Sequence, residues 1–165
     1  MPSSAEPTPT IASVSAASAV AVEPGGPVRG SVRPPGSKSL TNRALLCAAL
    51  ARGSSRLDGA LVSEDTEVMI DSLRKIGVVI DAEGGGQTLR ISGIGGTTVG
   101  QAGDAGSPLE LFIANSGTTV RFLSAALSAV GGHYRLTGVP RMHERPIGDL
   151  VDALRPVVDG TMEAE

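Results

Sequence analysis

Apolar and polar positions alternate between two spacings along this chain. Arg43-Ala44-Leu45-Leu46-Cys47-Ala48-Ala49-Leu50 and Arg121-Phe122-Leu123-Ser124-Ala125-Ala126-Leu127 are apolar runs at helical spacing. Glu67-Val68-Met69-Ile70-Asp71-Ser72-Leu73-Arg74 and Asp149-Leu150-Val151-Asp152-Ala153-Leu154-Arg155 share that spacing and carry acidic residues near their starts, where the helix dipole favours them. Gly77-Val78-Val79-Ile80-Asp81 and Thr88-Leu89-Arg90-Ile91-Ser92 read as strands, and Gly84-Gly85-Gly86 between them makes a hairpin turn. The first helix runs into Arg56-Leu57-Asp58-Gly59 and the third into Arg135-Leu136-Thr137-Gly138, each read as the start of a further strand. The order is helix, strand, helix, strand or hairpin, and it occurs twice with a period of roughly 80 residues.

The two copies are unequal. Gly93 to Pro108 reads as an exposed connection, and Leu109-Glu110-Leu111-Phe112-Ile113 leads into the second unit. Where the first unit continues into its hairpin, the second has Leu154-Arg155-Pro156-Val157-Val158-Asp159-Gly160 and no counterpart to follow. Pro156 is expected to end the last helix early. A sheet built from this chain alone would expose an unpaired edge, which points to a missing partner segment. Towards the amino end, residues 1–24 contain no Lys or Arg and are dominated by Ala, Ser, Pro, Thr and Val. That composition fits neither a secretory leader nor an Arg-rich transit peptide. Residues 1–18 are expected to form a disordered tail, followed by short strands at Ala19–Val22 and Val28–Arg33 around the Pro24-Gly25-Gly26-Pro27 turn.

Composition narrows the fold class to α/β (α+β). Phe 2, Tyr 1 and Trp 0 leave Val, Leu, Ile and Ala to build the core, while Gly 22 and Pro 11 imply many tight turns. Lys+Arg 14 against Asp+Glu 17 gives a net charge of −3, which argues against nucleic acid as a partner but leaves room for local anion sites. The single Cys47 allows no internal disulfide, and no stretch approaches the ~20 apolar residues of a membrane span. No membrane partner and a reducing, cytoplasmic location are expected.

Three clusters carry candidate chemistry. Pro34-Pro35-Gly36-Ser37-Lys38-Ser39-Leu40-Thr41-Asn42-Arg43 is a glycine turn that delivers two hydroxyls and a lysine to a helix start. Free backbone N–H groups and the positive end of the dipole favour an anion there, and Lys38 and Arg43 add full charges. The plainer alternative makes Ser37 or Ser39 an ordinary N-cap. Asn115-Ser116-Gly117-Thr118-Thr119-Val120-Arg121 stands at the equivalent helix start of the second unit. Gly117 would let a ligand approach the backbone; the alternative is a plain turn and cap. Pro140-Arg141-Met142-His143-Glu144-Arg145-Pro146-Ile147 sets two arginines and a histidine between prolines, and arginine suits bidentate binding of a carboxylate or phosphate. In isolation it also reads as a surface loop with a partner for Glu144. His133 and His143 lack further ligands at metal spacing, so no metal is expected. Cys47 is expected on the packed side of its helix, and the Glu64, Asp65 and Glu67 cluster is explained by first-turn preference.

Taken in order, the segments Pro35–Leu45, Leu109–Phe112, Asn115–Arg121 and Pro140–Ile147 resemble the 5-enolpyruvylshikimate-3-phosphate synthase family, over about Ala19 to Arg155. Only the amino-terminal part of that family, well under half its length, is covered. The resemblance implies two domains built from repeated βαβαββ units. Here 35–165 would form a partial domain, with unit one at about 35–108, an incomplete unit two at about 109–165, and 19–34 as short crossover strands. It also implies transfer of the enolpyruvyl group of phosphoenolpyruvate to the 5-hydroxyl of shikimate 3-phosphate, without metal or organic cofactor. By motif match, Lys38 would be catalytic and touch both substrates. Ser39 and Arg43 would bind shikimate 3-phosphate, Gly117 and Arg145 would hold phosphoenolpyruvate, and Asn115 and Thr118 would lie beside them. Gly117 matches the pattern associated with glyphosate sensitivity. Phe122 departs from the family, which often has Pro there, and is expected to shift its helix. Further family groups lie downstream, so the chain alone is expected to be inactive, a monomer unless a carboxy-terminal segment complements it. Two other readings stand beside this one: a non-enzymatic anion-binding module, and a sister enzyme acting on a UDP-sugar, which would carry Lys-Asn in place of Lys38-Ser39.

Overall fold

A computed structural model describes residues 25–27, 29–96, 102–158 and 160–164, and the chain divides into a unit of residues 1–33 and a unit of residues 34–165. In the first unit the described residues are exposed and carry neither helix nor strand. The strand expected over Val28–Arg33 is therefore not formed at residues 29–33, which pair with no strand among the described residues. The expected tail, the Ala19–Val22 strand and Val28 itself lie outside the described residues.

The second unit opens with α1 (Lys38–Leu50), then β1 (Arg52–Asp58), α2 (Glu64–Lys75), β2 (Val79–Glu83) and β3 (Thr88–Ile94). It continues with β4 (Leu109–Phe112), α3 (Gly117–Val130), β5 (Tyr134–Thr137), α4 (Pro140–His143) and α5 (Gly148–Leu154). Both long apolar runs start with a serine cap. The Ser37 hydroxyl accepts from Leu40 N at 3.4 Å and that of Ser116 from Thr119 N at 3.3 Å. At the start of α2, Ser63 N donates to Thr66 Oγ1 at 3.0 Å, and Thr66 Oγ1 donates to Leu61 O at 2.8 Å. Helix α5 ends at Leu154 and passes into a single 3₁₀ turn at Arg155–Val157, as a proline at 156 requires. The arginine-rich segment read as a loop instead closes into α4, because Pro140 at its first position is already in helical φ.

Strands β1, β3 and β2 form one antiparallel sheet in that order, with Leu57 opposite Leu89 and Ile80 opposite Ile91. Strands β4 and β5 form a separate parallel pair, joined through α3. Side chains from both sheets and the three long helices share one core: Leu45 and Ala49 of α1, Met69 and Leu73 of α2, Leu123 of α3, Leu89 and Ile91 of β3, and Leu111 of β4 are almost fully buried. Each large aliphatic side chain withdrawn from water in this way contributes roughly 2 kcal/mol. Cys47, expected on the packed side, is exposed. Leu45, Ala48 and Ala49 take the inward face of α1, and at helical spacing Cys47 points away from them.

On the solvent face of the larger sheet, Asp58 receives hydrogen bonds from Arg56 Nε at 3.0 Å and from Thr88 Oγ1 at 3.1 Å. The Arg56 bond first, then that of Thr88, holds its carboxyl below the ordinary carboxylate range. Because the folded value is the lower one, the stabilisation is present above the unfolded value and is lost as pH falls through the folded one. Carbon-13 titration of the Asp58 carboxyl is expected to give a midpoint below that of the same aspartate in an unfolded peptide, and Thr88→Val should raise it.

Candidate active site

Three helix starts meet at one place in the second unit. A cavity of about 360 Å³ is lined there by Lys38 and Arg43 of α1, Asp65 of α2, and Gly117, Thr118 and Arg121 of α3. Asn115, Phe122 and Arg145 complete its wall. Six of the sequence-derived candidates, Lys38, Arg43, Asn115, Gly117, Thr118 and Arg145, thus fall on a single cavity although they come from separate segments. Ser39 is half-buried on α1 and does not line it. Arg141 and His143 are engaged elsewhere: Arg141 pairs with Glu144, and His143 Nε2 lies 3.3 Å from Gly138 O.

Local geometry explains how each group is held. The chain turns from β4 into α3 through Ala114, whose φ of 47° is the positive value rare for a residue with a Cβ. This places Asn115, Ser116 and Gly117 at the mouth of α3. Arg121 reaches back from the next turn, its Nη1 donating to Gly117 O and its Nη2 to Pro146 O, both at 3.0 Å. That clasp ties the first turn of α3 to the segment carrying Arg145. Arg43 lies with its Cζ 5.9 Å from the centroid of the Phe122 ring, a cation–π arrangement that steadies the guanidinium. Phe122 therefore sits within an unbroken α3 and supports a cavity residue. Lys38 Nζ is 3.2 Å from Asp65 Oδ2.

The electrostatic balance is one-sided. Lys38, Arg43, Arg121 and Arg145 face the cavity against the single carboxylate of Asp65, and the amide ends of three helices add partial positive charge. Such a site suits a small anion with several charges, gripped by more than one arginine.

Residues 22–158 match the family described as EPSP synthase (3-phosphoshikimate 1-carboxyvinyltransferase). The chain belongs to the EPSP synthase family. It is 54% identical over 127 residues to the 3-phosphoshikimate 1-carboxyvinyltransferase of Bordetella petrii, a match covering 77% of this chain and 27% of that protein. The corresponding protein of Ralstonia pickettii is 50% identical over 129 residues, covering 78% of this chain and 28% of its own length. Among solved structures, an EPSP synthase from Acinetobacter baumannii superposes with a TM-score of 0.68 at 30% identity, over 77% of this chain and 27% of that one. The chain thus spans a little over a quarter of the curated relatives it matches. Among the described residues, no helix is long and apolar enough to cross a membrane.

Three members of the site escaped sequence reasoning. Arg121 stands at the end of the Asn115–Arg121 cluster, but nothing local marks it as facing the cavity. Phe122 was noticed only as a departure from the family. Asp65 was assigned to first-turn preference, and its pairing with Lys38, 27 residues away, has no local signal.

Proposed function

We propose that this chain supplies the amino-terminal share of an enolpyruvyl transferase site. The 5-hydroxyl oxygen of shikimate 3-phosphate gives up its proton and bonds to C2 of phosphoenolpyruvate while C3 takes up a proton, which makes a tetrahedral intermediate. C3 then loses a proton as the C2–O bond to phosphate breaks, so the double bond re-forms and inorganic phosphate leaves. Lys38 bridges the two substrates and is the catalytic residue of this part of the site. Arg43 binds shikimate 3-phosphate, with Ser39 contributing from the helix start next to Lys38 although it stands outside the cavity wall, the Gly117 backbone and Arg145 hold phosphoenolpyruvate, and Asn115 and Thr118 border them. The observation that carries this reading is the convergence of Lys38, Arg43, Arg121 and Arg145 on one cavity at the starts of α1 and α3. Two anionic substrates repel each other, and fixed cations that offset this repulsion also hold the reacting atoms together. Neither a metal nor an organic cofactor has a part in this chemistry.

The same reading extends to the fold. The order α1, β1, α2, β2, β3 and the order β4, α3, β5, α5 are two copies of one βαβαββ unit, the second without its closing hairpin. The separate β4–β5 pair supports this, because a two-stranded sheet gains stability from further strands. A carboxy-terminal family segment is the partner that would supply them, and the protein works as a monomer in the cytoplasm.

The test is a titration of the full chain with shikimate 3-phosphate, together with phosphate-release assays after mixing it with the carboxy-terminal remainder of a family member. Binding by the chain, and phosphate release only in the mixture, is the expected result. Absence of both would overturn the proposal. Binding with a silent mixture of folded partners would instead favour the non-enzymatic anion-binding module.

A further inference from the structure

Beneath the cavity lies a polar side chain to which the proposed chemistry assigns nothing. Asn42 belongs to the second turn of α1 and is fully buried. Its Nδ2 donates to Thr118 Oγ1 at 3.0 Å and points at the Asp65 carbonyl oxygen at 3.5 Å. The reversed carboxamide would set Oδ1 against that carbonyl, two acceptors facing each other, so the donor orientation is the consistent one. Thr119 Oγ1 donates to the same Asp65 oxygen at 3.3 Å. One network therefore laces the starts of α1, α2 and α3 together behind the cavity.

The network also decides how Thr118 can act. A hydroxyl that accepts from Asn42 keeps its own proton to give. Among the described residues its recorded acceptor is Ser116 Oγ, at a long 3.4 Å; that oxygen already accepts from Thr119 N, and because Thr119 Oγ1 gives its proton to Asp65, Ser116 is the donor across the 2.7 Å contact to Thr119 Oγ1. Thr118 lines the cavity, so its proton is best used on a bound anion. Asn42 Oδ1, meanwhile, is buried with no hydrogen-bond partner among the described residues. An unsatisfied buried acceptor is costly, and an apolar side chain would avoid that cost. What the asparagine adds is its pair of N–H donors.

We propose that Asn42 is a positioning residue: its carboxamide fixes Thr118 as a hydrogen-bond donor to the bound phosphorylated substrate and holds the Lys38–Arg43 turn in register with the start of α3. The proposal rests on the enolpyruvyl transferase reading of the cavity. Its test is a double-mutant cycle on the full chain, with shikimate 3-phosphate as the probe and thermal unfolding measured in parallel. Asn42→Ala and Thr118→Val are each expected to weaken binding about tenfold, the loss of one hydrogen bond to a charged group. Thr118→Ser, which keeps the hydroxyl, should restore wild-type affinity. The double variant should lose about tenfold, not a hundredfold, because both changes remove the same interaction.

Additive losses, or an Asn42→Ala chain that melts earlier but binds as the wild type does, would overturn the proposal while leaving the transferase reading intact. A wild-type chain that does not bind the probe would overturn both. If Asn42→Ala fails to fold, nitrogen-15 spectra of the wild-type chain and of Thr118→Val decide. The Asn42 carboxamide protons should exchange slowly, shift on addition of shikimate 3-phosphate, and move when Thr118 loses its hydroxyl. Carboxamide signals indifferent to both changes would refute the role.

Discussion

Replacing Gly36 with alanine should cost the chain stability and anion affinity together. A Cβ at this position would overlap the Gly59 carbonyl oxygen and lie 2.8 Å from Leu61 N. Both are backbone atoms of the connection between β1 and α2, and they cannot swing aside as a side chain would. That connection is moreover tethered to α1, since Leu61 N donates to Thr41 Oγ1 at 3.0 Å. The overlap must be relieved by moving the turn that carries Ser37 and Lys38. Overpacking of this kind costs about 3 kcal/mol, which for a domain of this size lowers the melting temperature by roughly 10 °C. Affinity for shikimate 3-phosphate should fall at least about tenfold, because Lys38 and Arg43 leave their places opposite α3. Thermal unfolding and titration of the same preparation check both effects. Wild-type values in both would mean that the close approach at Gly36 does not position the turn.

Gly117→Ala separates the two effects. Here the added Cβ would lie 2.6 Å from Arg145 Nη1 and 3.2 Å from Arg121 Nη1, the far ends of two flexible side chains. The fold can yield by rotating Arg145 away, and alanine is the better helix former, so the melting temperature should hold or rise slightly. Binding cannot yield so cheaply. With its guanidinium displaced from the first turn of α3, the site loses charge-assisted hydrogen bonds, and affinity for phosphoenolpyruvate should drop roughly 10- to 100-fold. Arg145→Gln is expected to produce a comparable loss. Adding Gly117→Ala to it should then cost little more, because the arginine through which the methyl group acts is already gone. A full additional loss in the double variant would show that the glycine matters through its backbone instead.

The contrast between these glycines shows what was legible beforehand. Both stood out in the sequence, each beside a serine and ahead of a helical run. Their neighbours did not, because Gly59 and Leu61 approach Gly36, and Arg145 approaches Gly117, through packing that no local pattern encodes. Although the short helix α4 reads as a loop, the long helices and the hairpin are legible to within a few residues at their ends. Their signals are local, resting on apolar spacing, a serine cap and three consecutive glycines between strands. Misreadings arose where local and tertiary preferences diverge. Cys47 follows the apolar run of α1 but faces solvent, since a helix rich in small residues presents no strongly asymmetric pattern from which to choose its buried side. Residues 29–33 suit a strand, but none of the described residues pairs with them.

Taken by itself, the sequence determined where the long helices and the glycine-turned hairpin lie, and that cations stand near the starts of two of those helices. Order and pairing belonged to the tertiary structure. It placed β3 between β1 and β2, brought Asp65 to Lys38, and set Asn42 against Thr118, 76 residues further along the chain. Backbone periodicity is decided by neighbours within a turn or two, so it can be read from the chain. A hydrogen bond across so long a loop forms only after burial of a shared core has fixed three helices against one another.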